Sequence, residues 1–349
     1  MTKIFEQAYD YFQQQLPFVL YCKPESSEMK GFFQNNKELH LTTEFSEKGF
    51  VFSNFVGSQS VLFPESECTI LNEKWVSDAD YDFALKNEVN ADGKIAFEHL
   101  VQLAIDAINE SKFQKVVLSR KETLAMNDFS FLEVFQKLRS TYPSAFRYCW
   151  FHPEIGMWMG ATPEQLLKTE AGTFGTVALA GTQKWEDDAE IIWHAKERQE
   201  QQFVTDFIVS GLKSEVESIN KSEPYTFQAG KIVHLKTDIN GVFASDFDVQ
   251  KVLSILHPTP AICGLPRNSS RAFILENEGY DRKFYAGFLG EIHRDQAGDL
   301  DLYVNLRCME ITDNRIHLYI GCGITKDSNP EKEYIETANK ALTMKQILN

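Results

Sequence analysis

The 349-residue sequence has no excess of positive charge: 35 Lys and Arg stand against 50 Asp and Glu, a formal net charge of −15. That balance argues against nucleic acid and acidic membrane surfaces as partners, because both attract basic proteins. It does not exclude a small anionic ligand, since a few cations can dominate one pocket. The six cysteines (Cys22, Cys68, Cys149, Cys263, Cys308 and Cys322) include no C-x-x-C pair, and several lie in apolar, strand-like runs. Buried free thiols in a reducing compartment are therefore expected. The opening Met-Thr-Lys-Ile-Phe-Glu-Gln lacks the apolar stretch of a signal peptide. No apolar run reaches the roughly 18 residues of a membrane span. Repeats, low-complexity tracts and linkers are missing too. A soluble, cytoplasmic protein is expected, and a monomer, since no long hydrophobic segment demands a partner.

What is present is ordinary globular material, 43% hydrophobic and 24% charged, enough for a sizeable core. Period-2 alternation predicts strands at Phe18 to Tyr21, Gly49 to Val56, Val61 to Phe63, Phe113 to Arg120, Phe146 to His152, Met157 to Ala161, Glu164 to Lys168 and Thr173 to Leu179. Others are predicted at Ile232 to Leu235, Gly287 to His293, Leu302 to Ile311 and Ile316 to Gly323, the last two joined by a turn at Thr312-Asp-Asn. Helical spacing marks Ile4 to Gln15, Phe97 to Ser111, Phe129 to Leu138, a long stretch from about Asp188 to Val216, Val249 to Leu256, and the segment that Pro330 opens. The fold class expected is α+β, a single domain over residues 1–349. Residues 1–90 carry no legible chemistry and are taken as a half-sheet that completes the fold.

The chemistry gathers in a few places. After Gly321-Cys-Gly323, the C-terminal helix carries Glu333, Glu336 and Lys340 on one face, with Ile335, Ala338 and Leu342 opposite as its apolar side. Taken alone, such a stripe is better explained by a solvated surface than by a site. A second Glu-x-x-Glu pair, Glu197 and Glu200, falls on the same side as Val204, Phe207, Ile208 and Gly211. Carboxylates facing a core must be paired or bound to a metal. Two such helices could converge on one divalent cation; an all-oxygen donor set favours Mg²⁺ over Zn²⁺ and implies an anionic substrate. Lys115 shares one side of its strand with Val117 and Ser119; it is either a snorkelling edge lysine or a desolvated base. Glu164, just past Pro163, is either a surface strand residue or a placed acid. Arg307, with Tyr303 and Asn305 on one strand face, could clamp a carboxylate, and the amides of Gly321 and Gly323 could serve the same anion.

Taken in order, eight blocks resemble the chorismate-binding enzymes, and among them the isochorismate synthases. They are Lys115-Val-Val-Leu-Ser-Arg, Gly160-Ala-Thr-Pro-Glu-Gln-Leu-Leu, Leu179-Ala-Gly-Thr, Lys196-Glu-Arg-Gln-Glu, His234-Leu-Lys-Thr, His257-Pro-Thr-Pro-Ala-Ile-Cys-Gly-Leu-Pro, Leu306-Arg-Cys and Gly321-Cys-Gly-Ile…Glu333-Tyr-Ile-Glu-Thr…Lys340. They run from about residue 95 to the end. The resemblance implies two large antiparallel β-sheets flanked by helices and a Mg²⁺-dependent site acting on chorismate. It implies that Lys115 is the general base, activating water for attack at ring carbon 2, and Glu164 the general acid at the carbon 4 hydroxyl. Mg²⁺ falls on Glu200 and Glu336, with Glu197 and Glu333 nearby or bridged by water. Arg307, Tyr285 and the Gly321 and Gly323 backbone would hold the enolpyruvyl carboxylate, and Lys340 would sit near the ring carboxylate. Gly181, Thr182, His234, Ala261, Ile262 and Leu306 would line the pocket.

Lysine at 115 argues for water rather than ammonia as nucleophile, and Ala180 departs from the lysine that aminodeoxychorismate synthases carry there. Gln201 and Gln183 stand where many relatives have histidine and some have arginine, which bears on fine geometry. The sequence leaves two alternatives: a salicylate synthase, which would go on to eliminate pyruvate, and a non-catalytic anion-binding protein on the same fold. Whether the product would feed menaquinone or siderophore biosynthesis is not legible.

Overall fold

The structure, a computed structural model, describes residues 2–75, 91–125, 129–185, 191–229, 232–312 and 315–348. In chain order its elements begin with α1 (Lys3–Gln13), β1 (Phe18–Cys22), β2 (Glu28–Gln34), β3 (His40–Leu41), β4 (Gly49–Ser53), β5 (Ser60–Pro64) and β6 (Cys68–Lys74). Then come α2 (Ala91–Asn109), β7 (Lys115–Ala125), α3 (Phe131–Thr141), β8 (Phe146–His152), β9 (Gly156–Thr162), β10 (Gln165–Glu170) and β11 (Thr173–Lys184). The middle holds α4 (Ala195–Leu212), β12 (Val216–Lys221), β13 (Tyr225–Ala229), β14 (Ile232–Phe243), α5 (Val249–Leu256), β15 (Gly264–Leu265) and α6 (Arg267–Asn277). Closing the order are β16 (Phe288–Ile292), β17 (Leu300–Val304), β18 (Cys308–Thr312), β19 (Arg315–Ile324) and α7 (Pro330–Lys345).

These strands make two large antiparallel sheets flanked by helices, the expected α+β class. The first sheet runs β15-β7-β19-β18-β9-β8-β1-β2-β6; the second runs β12-β14-β11-β10-β17-β16-β4-β5-β3, with β13 added on β14. The first ninety residues supply strands to both. One core lies between the sheets, where Trp150 of β8 stacks on Phe63 of β5 and meets Phe52 of β4 edge-on. Another covers the outer face of the first sheet, where α1 and α3 bury Ile4, Phe5, Phe131 and Phe135 against Phe18, Phe33 and Phe151. Helix starts follow local chemistry: the side chains of Ser130, Asp248 and Asn329 accept from backbone amides three residues on, and Pro330 follows Asn329 directly.

Several expectations change. The strand expected across Leu302 to Ile311 is two strands in different sheets, interrupted at Asn305–Arg307, with Arg307 at φ +48°. Tyr303 and Asn305 therefore do not share Arg307's surroundings: Tyr303 stacks on Phe146, and Asn305 pairs with Tyr148 and the Phe284 carbonyl. The chain also changes sheets between β9 and β10, through Pro163 and Glu164. These two crossovers are tied together, Val304 N donating to Glu164 O at 2.9 Å and Ala161 N to Arg307 O at 3.1 Å. On α7 the buried side is Glu333, Tyr334, Thr337, Ala341 and Met344, while Ile335 is 49% exposed. The expected apolar face of Ile335, Ala338 and Leu342 is thus rotated, because α7 packs against β19 and α2 rather than against one surface. Part of the expected helix from Asp188, and the turn at 313–314, lie outside the described residues. The helix seen ends at Leu212, and Val216 already begins β12. The segment Arg267–Asn277, for which no element was expected, is helix α6.

Candidate active site

One cavity collects side chains from both sheets and from α4 and α7. Lys115 opens β7, and strand alternation turns Lys115 and Val117 into the cavity while Val116 and Leu118 join the core. Glu164 and Arg307 enter from the two crossovers, Glu200 and Glu197 from the first turns of α4, and Glu336 and Lys340 from α7. Gly181, His234, Ala261, Ile262, Tyr285, Leu306, Gly321 and Gly323 also line it. Glu333 is buried on α7 but is not among the lining residues. Thr182 pairs with His234 across β11 and β14, and its side chain lies outside the described residues.

The charges here are buried at different costs. Lys115 is 2% exposed, and its Nζ stands 3.9 Å from Glu200 Oε2. Burial holds its ammonium below the usual lysine range; Glu200 opposes this, the Lys340 charge adds to it, and Glu164 and Glu336 oppose it. Glu164 moves the other way: burial pushes its carboxyl up to about 7, against the pull of Lys115, Lys340 and Arg307. His234 falls to about 3, through burial first and the nearby Arg307 and Lys340 charges next. Its Nδ1 lies 3.0 Å from the Gly181 carbonyl, so that nitrogen carries the proton and donates. Lys340 bonds Glu336 Oε1 at 2.7 Å and the Gly321 carbonyl at 3.1 Å. Arg307 donates to Thr343 Oγ1 at 3.3 Å.

The glycine pair on β19 is required by space. A β-carbon at Gly323 would lie 3.1 Å from Lys115 Cε, and one at Gly321 would lie 2.7 Å from Tyr285 Oη. Either would push a cavity side chain aside.

Glu197, Glu200 and Glu336 give the cavity an all-oxygen donor set, the chemistry that suits Mg²⁺, which keeps waters and takes few protein ligands. Their oxygens are not gathered into a closed cage: among the described residues, three ligand atoms lie within 4.8 Å of one another only at Glu38, His40 and Glu67. Glu197 also accepts from the His194 amide at 3.0 Å, which ties it to the start of α4. Glu200 and Glu336 line the same cavity, one oxygen of Glu336 being taken by Lys340. Sequence reasoning missed several lining residues, among them Leu179, Tyr319 and Met344. Val117 was readable from the Lys115 alternation, whereas Met344 carries no local signal at all.

The cavity thus brings together a lysine of lowered pKa, a glutamate of raised pKa, further carboxylate oxygens and other cations. The salicylate biosynthesis isochorismate synthase of Pseudomonas aeruginosa is 32% identical over 274 residues, covering 76% of this chain and 57% of that protein. Isochorismate synthase EntC of Escherichia coli is 28% identical over 263 residues, covering 72% of this chain and 66% of that protein. The chain thus spans 57% and 66% of the lengths of these two relatives. Among solved structures, MenF, the menaquinone-specific isochorismate synthase from Escherichia coli, superposes with a TM-score of 0.81 at 22% identity. That match covers 96% of this chain and 89% of MenF. The likeness speaks to the fold. The family described as chorismate binding enzyme matches residues 64–349, starting earlier than the ordered motifs, and the chain belongs to that family.

Proposed function

We propose that the protein is an isochorismate synthase, an isomerase that converts chorismate to isochorismate with Mg²⁺. The observation that carries this reading is Lys115 and Glu164 in one cavity, their pKa values displaced toward each other by burial. The relatives' printed activities support it. A neutral Lys115 takes a proton from water as its oxygen bonds to ring carbon 2. Protonated Glu164 gives its proton to the hydroxyl leaving carbon 4, so water is consumed and released in one turnover. Arg307, Tyr285 and the Gly321 and Gly323 amides hold the enolpyruvyl carboxylate, while Lys340 faces the ring carboxylate. Glu200 and Glu336 would hold Mg²⁺, which when bound polarises the ring carboxylate. Residues 1–349 form one chorismate-binding domain on this reading, supported by the strands that the first ninety residues give to both sheets.

Incubating the purified protein with chorismate and Mg²⁺ and identifying the product tests the proposal. Isochorismate is expected. Salicylate fluorescence without an added lyase would overturn the isomerase reading, and unchanged chorismate would overturn the enzyme.

A further inference from the structure

The sheet edge beside Lys115 is completed by side chains rather than by a strand. β7 pairs with β19 from Val116 to Ala125 on one side, but on the other only Lys115 and Val116 meet β15. Val117 N still reaches the Cys263 carbonyl at 2.8 Å. Beyond it, two buried side chains replace the strand. Arg282 donates to the Val117 carbonyl at 2.6 Å through one Nη and to the Ile262 carbonyl at 3.0 Å through the other. Glu278 accepts from Ser119 N at 2.6 Å and from Ser119 Oγ at 3.0 Å. The pair is bidentate, at 2.5 and 2.8 Å, with side chains 2% and 1% exposed. Ser270 Oγ, also buried, donates to the carbonyl of Lys115 itself at 2.8 Å. None of these four residues lines the cavity.

We propose that the Glu278–Arg282 pair is a positioning clamp, which finishes the open edge of β7 and fixes Lys115 against the Ala261–Ile262 wall of the cavity. The proposal rests on the role given to Lys115 above. The guanidinium fork suits the task, because it reaches two carbonyls on different segments while holding its own counter-charge; an ammonium is a single point and cannot. The pair is neutral as a unit, so it settles a strand edge without adding net charge beside the base. Lys115 begins β7 and pairs with β15 but not with β19, and a displacement of about 1 Å at such a residue costs on the order of 10²-fold in rate. A purely structural pair would change stability and leave the turnover of folded protein as it was.

Full-length Arg282→Lys and the milder Ser119→Ala separate the two roles. Turnover of chorismate with Mg²⁺ is measured on folded protein, together with amide hydrogen exchange along β7. For Arg282→Lys, kcat is expected to fall at least about tenfold with KM within about threefold, because base placement acts in the chemical step. Exchange at the Val117 and Ser119 amides is expected to quicken. Unchanged kcat with a lowered melting temperature, or a raised KM with kcat kept, would overturn the clamp. If Arg282→Lys does not fold, Ser119→Ala, which removes the bonds of Ser119 Oγ to Glu278 and to Tyr280 Oη, decides: a kcat loss of about fivefold supports the clamp, and unchanged kcat and exchange overturn it. If the wild-type protein leaves chorismate unchanged, the functional reading fails by itself. The exchange arm then still decides whether the pair holds β7.

Discussion

Two buried clusters of charge use the same residue types to opposite effect. In one, Glu291 of β16 lies against Lys23 and against Lys30 at 2.5 Å, and Lys23 also reaches Asp301 at 2.6 Å. Burial alone would raise the Glu291 carboxyl, but the two ammonium groups outweigh it and hold the group at about 2. In the other, Glu164 is equally buried and surrounded by Lys115, Lys340 and Arg307, yet its carboxyl rises to about 7. The difference is distance. Around Glu291 the cations touch; around Glu164 they act across the cavity, and no ion pair to it is found among the described residues. A carboxylate that its cations satisfy stabilises a fold, whereas one that stands apart from them keeps room and reactivity for a ligand.

That contrast can be broken by experiment, and the largest effect is expected at Lys115, the proposed base. Lys115→Ala should lower kcat/KM for chorismate by about 10²–10⁴. Steady-state kinetics showing less than a tenfold loss would remove Lys115 from the chemistry. Glu336→Gln should move the midpoint of the Mg²⁺ titration roughly 10–100-fold upward, the scale seen when a metal's supporting shell is cut. An unshifted midpoint would take Glu336 off the ligand set.

The two carboxylates should then separate along the pH axis. If Glu164 is the acid proposed above it acts protonated, so kcat/KM should fall as pH rises through about 7, by tenfold per unit well above it. Glu164→Gln should abolish that limb in a pH–rate profile. Glu291 is depressed from 4.5 to about 2, so its stabilisation is fully present above about 4.5 and is lost as pH falls toward 2. Allowing for the partial exposure of Lys23 and Lys30, the term is roughly 1–3 kcal/mol. Chemical denaturation of Glu291→Gln and wild type should converge at low pH, with turnover at neutral pH unaffected; a loss of turnover would blur the distinction between the clusters. The smallest effect is expected at Ile335 of α7. Its replacement by Ser should change stability by less than about 0.5 kcal/mol, since the residue is half exposed.

Ile335 also shows where sequence stops being a guide. The strand alternation around Lys115 and the inward side of Glu200 on α4 were legible, because period 2 and period 3.6 report which way a side chain points. The same rule misjudged α7, whose neighbours on two sides bury Glu333 and leave an isoleucine in water. Arg307 was assigned to a continuous strand because nothing in Val-Asn-Leu-Arg-Cys announces that the chain changes sheets; a non-glycine residue at φ +48° has no sequence signature. The α6 helix was not expected at all, its Asn-Ser-Ser opening being residues that favour caps and turns over helix interiors. The Glu278–Arg282 pair lay beyond sequence as well, since its partners are backbone atoms of a distant strand.

The hydrogen-bonded crossovers have a mechanical consequence. Glu164 and Arg307 ride on the two passages between the sheets, and each passage bonds the backbone of the other. If one sheet slides over its neighbour, both passages are dragged as a linked pair, and the spacing between acid and arginine survives the movement. The helical wall opposite them, α4 and α7, carries Glu200, Glu336 and Lys340. A shift of those helices on the sheets would change the gap between their carboxylates and Glu164, whereas Glu164 and Arg307 would keep their spacing.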